Sequence, residues 1–164
     1  MFREMRRFKQ ELSPAEAREI LEKGSFGVMA CLGDEGYPYT VPVSYVLDGD
    51  HIYFHSALEG HKIDALKNCE KVSFCVVAQD QVVAEELTTY FRSAVAFGRA
   101  RIVEDRAEKY EPLMRLGLKY GPGMDDFVKK HVDDEIHRTA LVDIRIEHLT
   151  GKEAIELVRR RSKS

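Results

Sequence analysis

Four residues near the middle of the chain, Ser56, Gly60, His61 and Lys62, have types and spacing suited to holding an anion. Ser56 offers a hydroxyl and Lys62 a full positive charge. Gly60 lets a ligand come close to the backbone. Ile63, Ala65 and Leu66 open a helical pattern, so Gly60 to Lys62 falls at a helix start. The first backbone N–H groups of a helix have no partner within it and lie at the positive end of its dipole. A phosphate fits such a place. The same residues also make an ordinary loop, a helix start and an exposed lysine, and spacing alone does not choose between the two readings.

The other candidate groups narrow the chemistry. His51, Tyr53 and His55 share one face of a strand, because side chains alternate. With His61 they invite a metal reading, but no carboxylate or cysteine completes a cluster nearby, and no metal site is expected. His131, His137 and His148 fall in or beside predicted helices and are read as surface residues. The chain has no Gly-x-Ser-x-Gly elbow, no Walker loop, no Gly-x-Gly-x-x-Gly fingerprint and no Cys–His pairing that spacing supports. If the protein is an enzyme, a cofactor carries the hard chemistry and the chain supplies position and electrostatics. No catalytic side chain can be named.

Stepping outward, these residues need a hairpin and a helix to position them. Residues 39–47 are rich in β-branched and aromatic side chains and predict a strand. Asp48-Gly49-Asp50 is a turn signal, and residues 51–55 return as a second strand. Residues 56–62 read as a polar loop and 62–68 as a helix. Upstream, Ser13-Pro14-Ala15-Glu16 is a capping box for a helix that Gly24 ends. Residues 26–32 predict a strand, and Gly33 to Gly36 a turn. Downstream, residues 71–77 and 91–103 read as strands, with Gly98 marking a bulge or a close approach. Val82 to Ala84 reads as a short strand and Glu85-Glu86 as the start of an irregular loop. Asp105 caps a helix running to about Tyr120, and Gly121-Pro122-Gly123 breaks it. Residues 125–137 predict another helix, 139–146 a strand with one wet face, and 153–160 a closing helix. About six antiparallel strands without sustained βαβ alternation imply a mainly β fold, an antiparallel barrel with peripheral helices. Pro42 cannot donate to a ladder, so its strand leaves backbone unpaired there, at an edge, at a bulge or beside a ligand.

Composition sets the outer bounds. A chain of 164 residues predicts one domain, 1–164, with a core at about 13–154. A net charge of -3 gives no support for a nucleic-acid or membrane partner. No signal-peptide pattern and no membrane-length apolar run is visible, so a cytoplasmic location is expected. Cys31, Cys69 and Cys75 form neither a disulfide framework nor a metal pair, and Cys31 and Cys75 read as buried thiols. The basic tail, residues 159–163, reads as a solvated helix end.

A family resemblance joins these pieces. Gly36-Tyr37-Pro38-Tyr39, Val41-Pro42-Val43-Ser44-Tyr45, Ile52-Tyr53-Phe54-His55-Ser56-Ala57 and Gly60-His61-Lys62 follow in fixed order. Together they resemble the flavin-binding split β-barrel family related to pyridoxamine 5′-phosphate oxidase, in the branch that includes 5-nitroimidazole-resistance proteins. Residues 90–104 and 146–154 extend the resemblance. It implies an FMN-binding homodimer. The flavin ring would lie on Val41, Pro42, Val43 and Ser44, and the ribityl phosphate beside His55, Ser56 and Ala57. Gly60, His61 and Lys62 would hold the phosphate. Ser93 would be a hydrogen-bonding contact, commonly from the neighbouring subunit, with Arg92 and Arg99 as further contacts. The implied activity is an oxidoreductase passing electrons from NAD(P)H to a small oxidised acceptor such as a nitroaromatic. A non-catalytic flavin- or haem-binding carrier or sensor is the alternative. The chain has no tryptophan and lacks the arginine- and tryptophan-bearing C-terminal segment of the oxidases themselves, which argues against oxidation of pyridoxamine phosphate.

Overall fold

Eight antiparallel strands and five helices make up the described residues, 1–161, of the computed structural model. Ser162 and Lys163 of the basic tail lie outside the described residues. In chain order the elements are β1 (Glu11–Leu12), α1 (Pro14–Lys23), β2 (Gly27–Leu32), β3 (Pro38–Val43), β4 (Val46–Asp48), β5 (His51–Ala57), α2 (His61–Asn68), β6 (Lys71–Val83), β7 (Thr88–Val103), α3 (Arg106–Tyr120), α4 (Asp125–Glu135), β8 (Thr139–Glu153) and α5 (Ile155–Arg161). The pairing order is β3-β2-β6-β7-β8-β5-β4, with β1 on β8. The two ends of that order, β3 and β4, are joined by only Ser44 and Tyr45. The sheet therefore curls until its edges almost meet, a barrel split between β3 and β4.

Alternation within the strands sorts side chains into two cores. Met29, Ile52, Phe54, Phe74, Ala96, Val142 and Ile144 fill the barrel, with Leu21 of α1 and Ile63 and Leu66 of α2 closing its ends. On the outer face, Val103, Leu141 and Tyr53 meet Leu113 of α3 and Val128 and Val132 of α4. α1 begins as its sequence predicts: Ser13 accepts from the Glu16 N–H, and Glu16 reaches back to the Ser13 N–H. Asp105 caps α3.

Several expectations are corrected. The single strand expected over residues 39–47 is broken at Ser44–Tyr45, because Tyr45 turns inward and its peptide groups bond to α3. β5 continues through Ser56 and Ala57, where a loop was expected. The irregular stretch after Glu85 is a tight hairpin joining β6 to β7, with Leu87 left-handed at φ 48. β8 runs on to Glu153 and has no wet face over residues 140–144: Asp143 is 1% exposed and Leu141 wholly buried. His148 consequently lies in a strand, not beside a helix. Of the two thiols expected inside, Cys31 is buried and Cys75 only partly so. β1 had no recognisable signal.

Buried charge on β8 is matched by partners from other elements. Asp143 accepts from Arg101 of β7 and lies 2.6 Å from His51 Nδ1 of β5. Glu153, 0% exposed, accepts from Arg92 Nε at 3.0 Å. Arg161 faces its other oxygen as an ion pair without hydrogen-bond geometry. Removing one partner of such a pair leaves a charge that is costly to bury.

A bulge is present at Gly98. The register of β7 on β8 steps between Phe97 and Gly98, and a Cβ at Gly98 would sit 2.3 Å from the Arg145 carbonyl oxygen. Backbone cannot yield as a side-chain end can. Gly98→Ala is expected to cost about 2–3 kcal/mol, the scale of an overpacked core. A urea melt checks it, and a midpoint unchanged from wild type would show that the strand pair can shift to make room.

Candidate functional site

The split between β3 and β4 positions the candidate site. β4 pairs with β5 so that Val46 faces Tyr53. Extending that register by two residues sets Ser44 opposite His55. Both line a cavity of about 440 Å³ roofed by α3 and α4. Its walls are mainly apolar, with Leu113 and Leu116 from α3, Met124 at the N-cap of α4, and Phe127, Val128 and Val132 from α4 itself. Gly117 seats α4 closely against α3: a Cβ there would lie 2.4 Å from Val128.

Ser44 is fixed by what happens to Tyr45. The Tyr45 ring is wholly buried and packs edge-on to Phe74, its hydroxyl donating to the Leu21 carbonyl at 2.5 Å. Tyr120 Oη accepts from the Tyr45 N–H at 3.0 Å and donates to the Ser25 carbonyl at 2.5 Å. Lys119 donates to the Gly24 and Tyr45 carbonyls at 2.7 and 2.8 Å and lies 4.1 Å over the Tyr45 ring. Burial pushes the Lys119 ammonium below its ordinary pKa and the Tyr45 phenol above the neutral range. The C-terminal turn of α3 thus satisfies the backbone that β3 and β4 leave unpaired.

At the far end of β5 lies the second part of the site. Lys62 Nζ donates to Ser56 Oγ at 3.1 Å, and no carboxylate pairs with it among the described residues. Gly60 stands at the N-cap of α2 with φ 127, a region open to glycine, and no side chain caps this helix start. His61 stacks on Tyr39 of β3 at 4.1 Å and lies 3.6 Å from Asp34. α2 therefore begins between β3 and β5. His55, exposed at the cavity mouth, links the two parts. Its pKa is lowered, first by crowding of its ring away from water, then by the charge of Lys62 and by His131. The shift favours the uncharged ring.

The sequence-predicted residues divide accordingly. Ser44 and His55 meet in the cavity. Ser56, Gly60 and Lys62 meet at the helix start, with Ala57 at the strand end and His61 turned to Tyr39. Val41 and Val43 are half-buried and pack inward against the barrel core, so the outer face of β3 offers Thr40, Pro42 and Ser44. Pro42 is on an edge strand that pairs with β2 alone among the described residues. Ser93 stands apart: it pairs with Lys152 at one end of β8, whereas Ser56 and Ala57 pair with Ala140 and Thr139 at the other. Arg92 is engaged by Glu153, and Arg99 by Glu70 and Glu147. Sequence reasoning missed Tyr120, His131 and the rest of the helical roof. One available signal was the spacing of Met124, Phe127, Val128, His131 and Val132, which gives α4 an apolar stripe wider than one packed face needs. Among the described residues no group of three His, Cys, Asp or Glu side chains is placed to hold a metal ion, and no helix is long and apolar enough to cross a membrane.

Comparison with known proteins agrees with this architecture. A family model described as pyridoxamine 5′-phosphate oxidase matches residues 13–153. An uncharacterized protein of Rhizobium meliloti is 29% identical over 92 residues, 56% of each chain, so the chain matches little more than half the length of that curated relative. Among solved structures, an FAD-binding protein from Mesorhizobium loti is 26% identical with a TM-score of 0.63, over 88% of this chain and 97% of that one. A candidate 5-nitroimidazole antibiotic resistance protein from Bacteroides thetaiotaomicron gives 21% and 0.68, over 87% and 86%. An FAD- and haem-binding protein from Mycobacterium smegmatis gives 22% and 0.77, over 89% and 73%. The last two likenesses speak to the fold alone.

The Tyr45 knot makes a direct test of how the split is held. Tyr120→Phe leaves the buried Tyr45 N–H without its acceptor, an expected cost of about 1–3 kcal/mol. Hydrogen exchange at the Tyr45 amide should accelerate with it. Unchanged stability and unchanged exchange would show that α3 does not hold the split open.

Proposed function

The chain belongs to the pyridoxamine 5′-phosphate oxidase family, and from that premise we propose that it binds FMN and serves as an NAD(P)H-linked oxidoreductase of small oxidised acceptors such as nitroaromatics. The observation that carries the reading is the Lys62 ammonium. It is paired with a hydroxyl rather than a carboxylate, and it stands at an uncapped helix start beside the open edge of β3. A phosphate supplies the missing negative charge. The N–H groups at the start of α2 donate to it, Gly60 lets it approach, and Ser56 flanks it, with His55 on the other face of β5 within the field of the Lys62 charge. The ring end of the cofactor then runs along the outer face of β3 past Pro42 toward Ser44. Bound and reduced, the flavin supplies electrons from NAD(P)H to the acceptor, so no side-chain acid or base is required of the protein. The residues named here bind, orient and exclude water.

A homodimer is part of the proposal. Ser93 is too far along its own chain to reach Lys62, so a contact with the cofactor requires a second copy. Val77, Val82 and Leu87 stand exposed on β6 and the β6–β7 hairpin, an apolar surface that a second copy would cover. A second reading, haem bound by a carrier or sensor without turnover, is favoured by one observation: His55 and His131 face the same apolar cavity. The visible spectrum of the purified protein separates flavin bands from a Soret band.

Lys62→Ala is expected to weaken FMN binding by about 10- to 100-fold, the worth of a charge-assisted contact, as read by calorimetry. Binding unaffected by this change would remove the phosphate assignment. His55 adds a pH signature. Free, its pKa lies below the usual histidine value; a bound phosphate dianion raises it, so binding takes up a proton. The contribution of His55 to affinity is therefore fully present below the free-protein pKa and lost as pH rises through that of the complex. The ratio of FMN dissociation constants, His55→Gln over wild type, should grow as pH falls toward the lowered pKa of the free protein and approach one as pH rises past that of the complex. Taking the ratio cancels the ionisation of the ligand itself. A ratio flat in pH excludes the coupling.

A further inference from the structure

The cavity under α3 and α4 has a chemistry of its own, distinct from that of the phosphate end. We propose that it is the acceptor subsite, that it takes an uncharged, flat molecule of one or two aromatic rings bearing hydrogen-bond-accepting oxygens, and that His131 determines its selectivity. The inference rests on the flavin reading above.

Size and lining set the ligand class. About 440 Å³ lies within the range of small-molecule sites and suits one or two rings. Five apolar side chains of α3 and α4, with Met124 just before α4, form the roof, and Gly117 holds these helices together there, so the space is built rather than a loose gap. An ionised ligand would have to shed its water against that surface, at high cost.

The polar groups that line the cavity are mostly engaged already. The Thr139 hydroxyl donates to the Glu135 carbonyl at 2.9 Å. The Glu135 carboxylate is held by Arg138. The Tyr120 hydroxyl is taken up by Ser25 and Tyr45. Ser44, His55 and His131 remain. Ser44 and His55 stand at the sheet side, where the flavin ring would approach, and His55 is drawn into the field of Lys62. His131 is the polar group on the helical wall, its ring stacked on Phe127 at 6.3 Å. A ring N–H of His131 can donate to a ligand oxygen lying across the cavity from the sheet. Without that donor the wall discriminates by shape alone.

The test uses direct binding rather than turnover. 4-Nitrobenzyl alcohol is titrated into the full chain, with and without FMN, followed by calorimetry and by the histidine ring resonances. 4-Methylbenzyl alcohol, which keeps the alcohol and replaces the nitro group with a methyl, is the comparison. The nitro compound should bind at least about fivefold more tightly, the worth of one hydrogen bond, and should move the His131 resonances. His131→Leu should bring the ratio of the two affinities to about one while leaving the FMN dissociation constant within about twofold of wild type. Met124→Trp, which fills the space from the rim, should weaken both compounds by about tenfold or more without loss of FMN. The proposal is overturned if the nitro preference survives in His131→Leu, if Met124→Trp leaves binding intact, or if FMN and the nitro compound compete for one place. A protein that fails to retain FMN yet binds the nitro compound with these signatures loses the flavin reading and keeps the subsite. One that retains FMN and ignores the compound loses the subsite alone.

Discussion

Everything in this molecule depends on how Tyr45 is buried. A strand of a curled sheet needs partners for its peptide groups, yet β3 must part from β4 within two residues. Tyr45 achieves the break by leaving the sheet plane. Its ring enters the barrel against Phe74, and its backbone bonds to Lys119 and Tyr120 rather than to a neighbouring strand. Backbone groups left unpaired in such a place would each cost about 1–3 kcal/mol. The end of α3 is therefore as much a part of the sheet as any strand. It also places the helical roof over Ser44, so one contact both opens the split and covers it.

The second constraint is charge inside β8. Asp143 and Glu153 are almost wholly buried, and their partners come from β5, β7 and α5. Removing either side of such pairs is expensive, so they hold the strands in one register. A one-residue slip would point Asp143 into the barrel among Phe54 and Ile144 and strand Arg101. These carboxylates and guanidinium groups neutralise one another, which leaves Lys62 distinctive: its contact is a hydroxyl. The chain as a whole is weakly acidic, and the proposed phosphate site rests on one local positive place that net charge does not reveal.

Local signals were legible in the sequence wherever the cause is local. The capping box at Ser13, the Asp105 cap, the turn at Gly49 and the bulge at Gly98 each follow from the conformational or hydrogen-bonding habits of a residue and its near neighbours. What sequence could not show has a distant cause. Tyr45 looks like an ordinary strand residue until Tyr120, 75 positions later, supplies its acceptor. Asp143 reads as the wet face of a strand until Arg101 and His51 make its burial tolerable. The long course of β8 was hidden too, since the alternation that marks the strand stops at Ile146 while its pairing with β7 continues to Glu153. For the site, Gly60 and Lys62 were readable because a helix start is a local feature. The cavity was not, because it arises only when α4 folds back on α3 across Gly117.

The two halves of the site differ in the kind of discrimination they permit. In the proposed site the helix start with Lys62 would recognise charge, and charge is screened by salt and shared by many ligands. Alone it would accept any phosphate of suitable reach. The cavity, as proposed, would recognise shape and the absence of charge, and would disfavour anything that must keep its water. Under the proposed function the two, joined through His55, would select a molecule, or a pair of molecules, that is anionic at one end and flat and apolar at the other. His55 can serve both because it is held uncharged: a cation there would weaken the apolar half, and a fixed neutral group could not respond to the phosphate. A titratable ring at the junction answers whichever half is filled, so filling one half alters the electrostatics of the other.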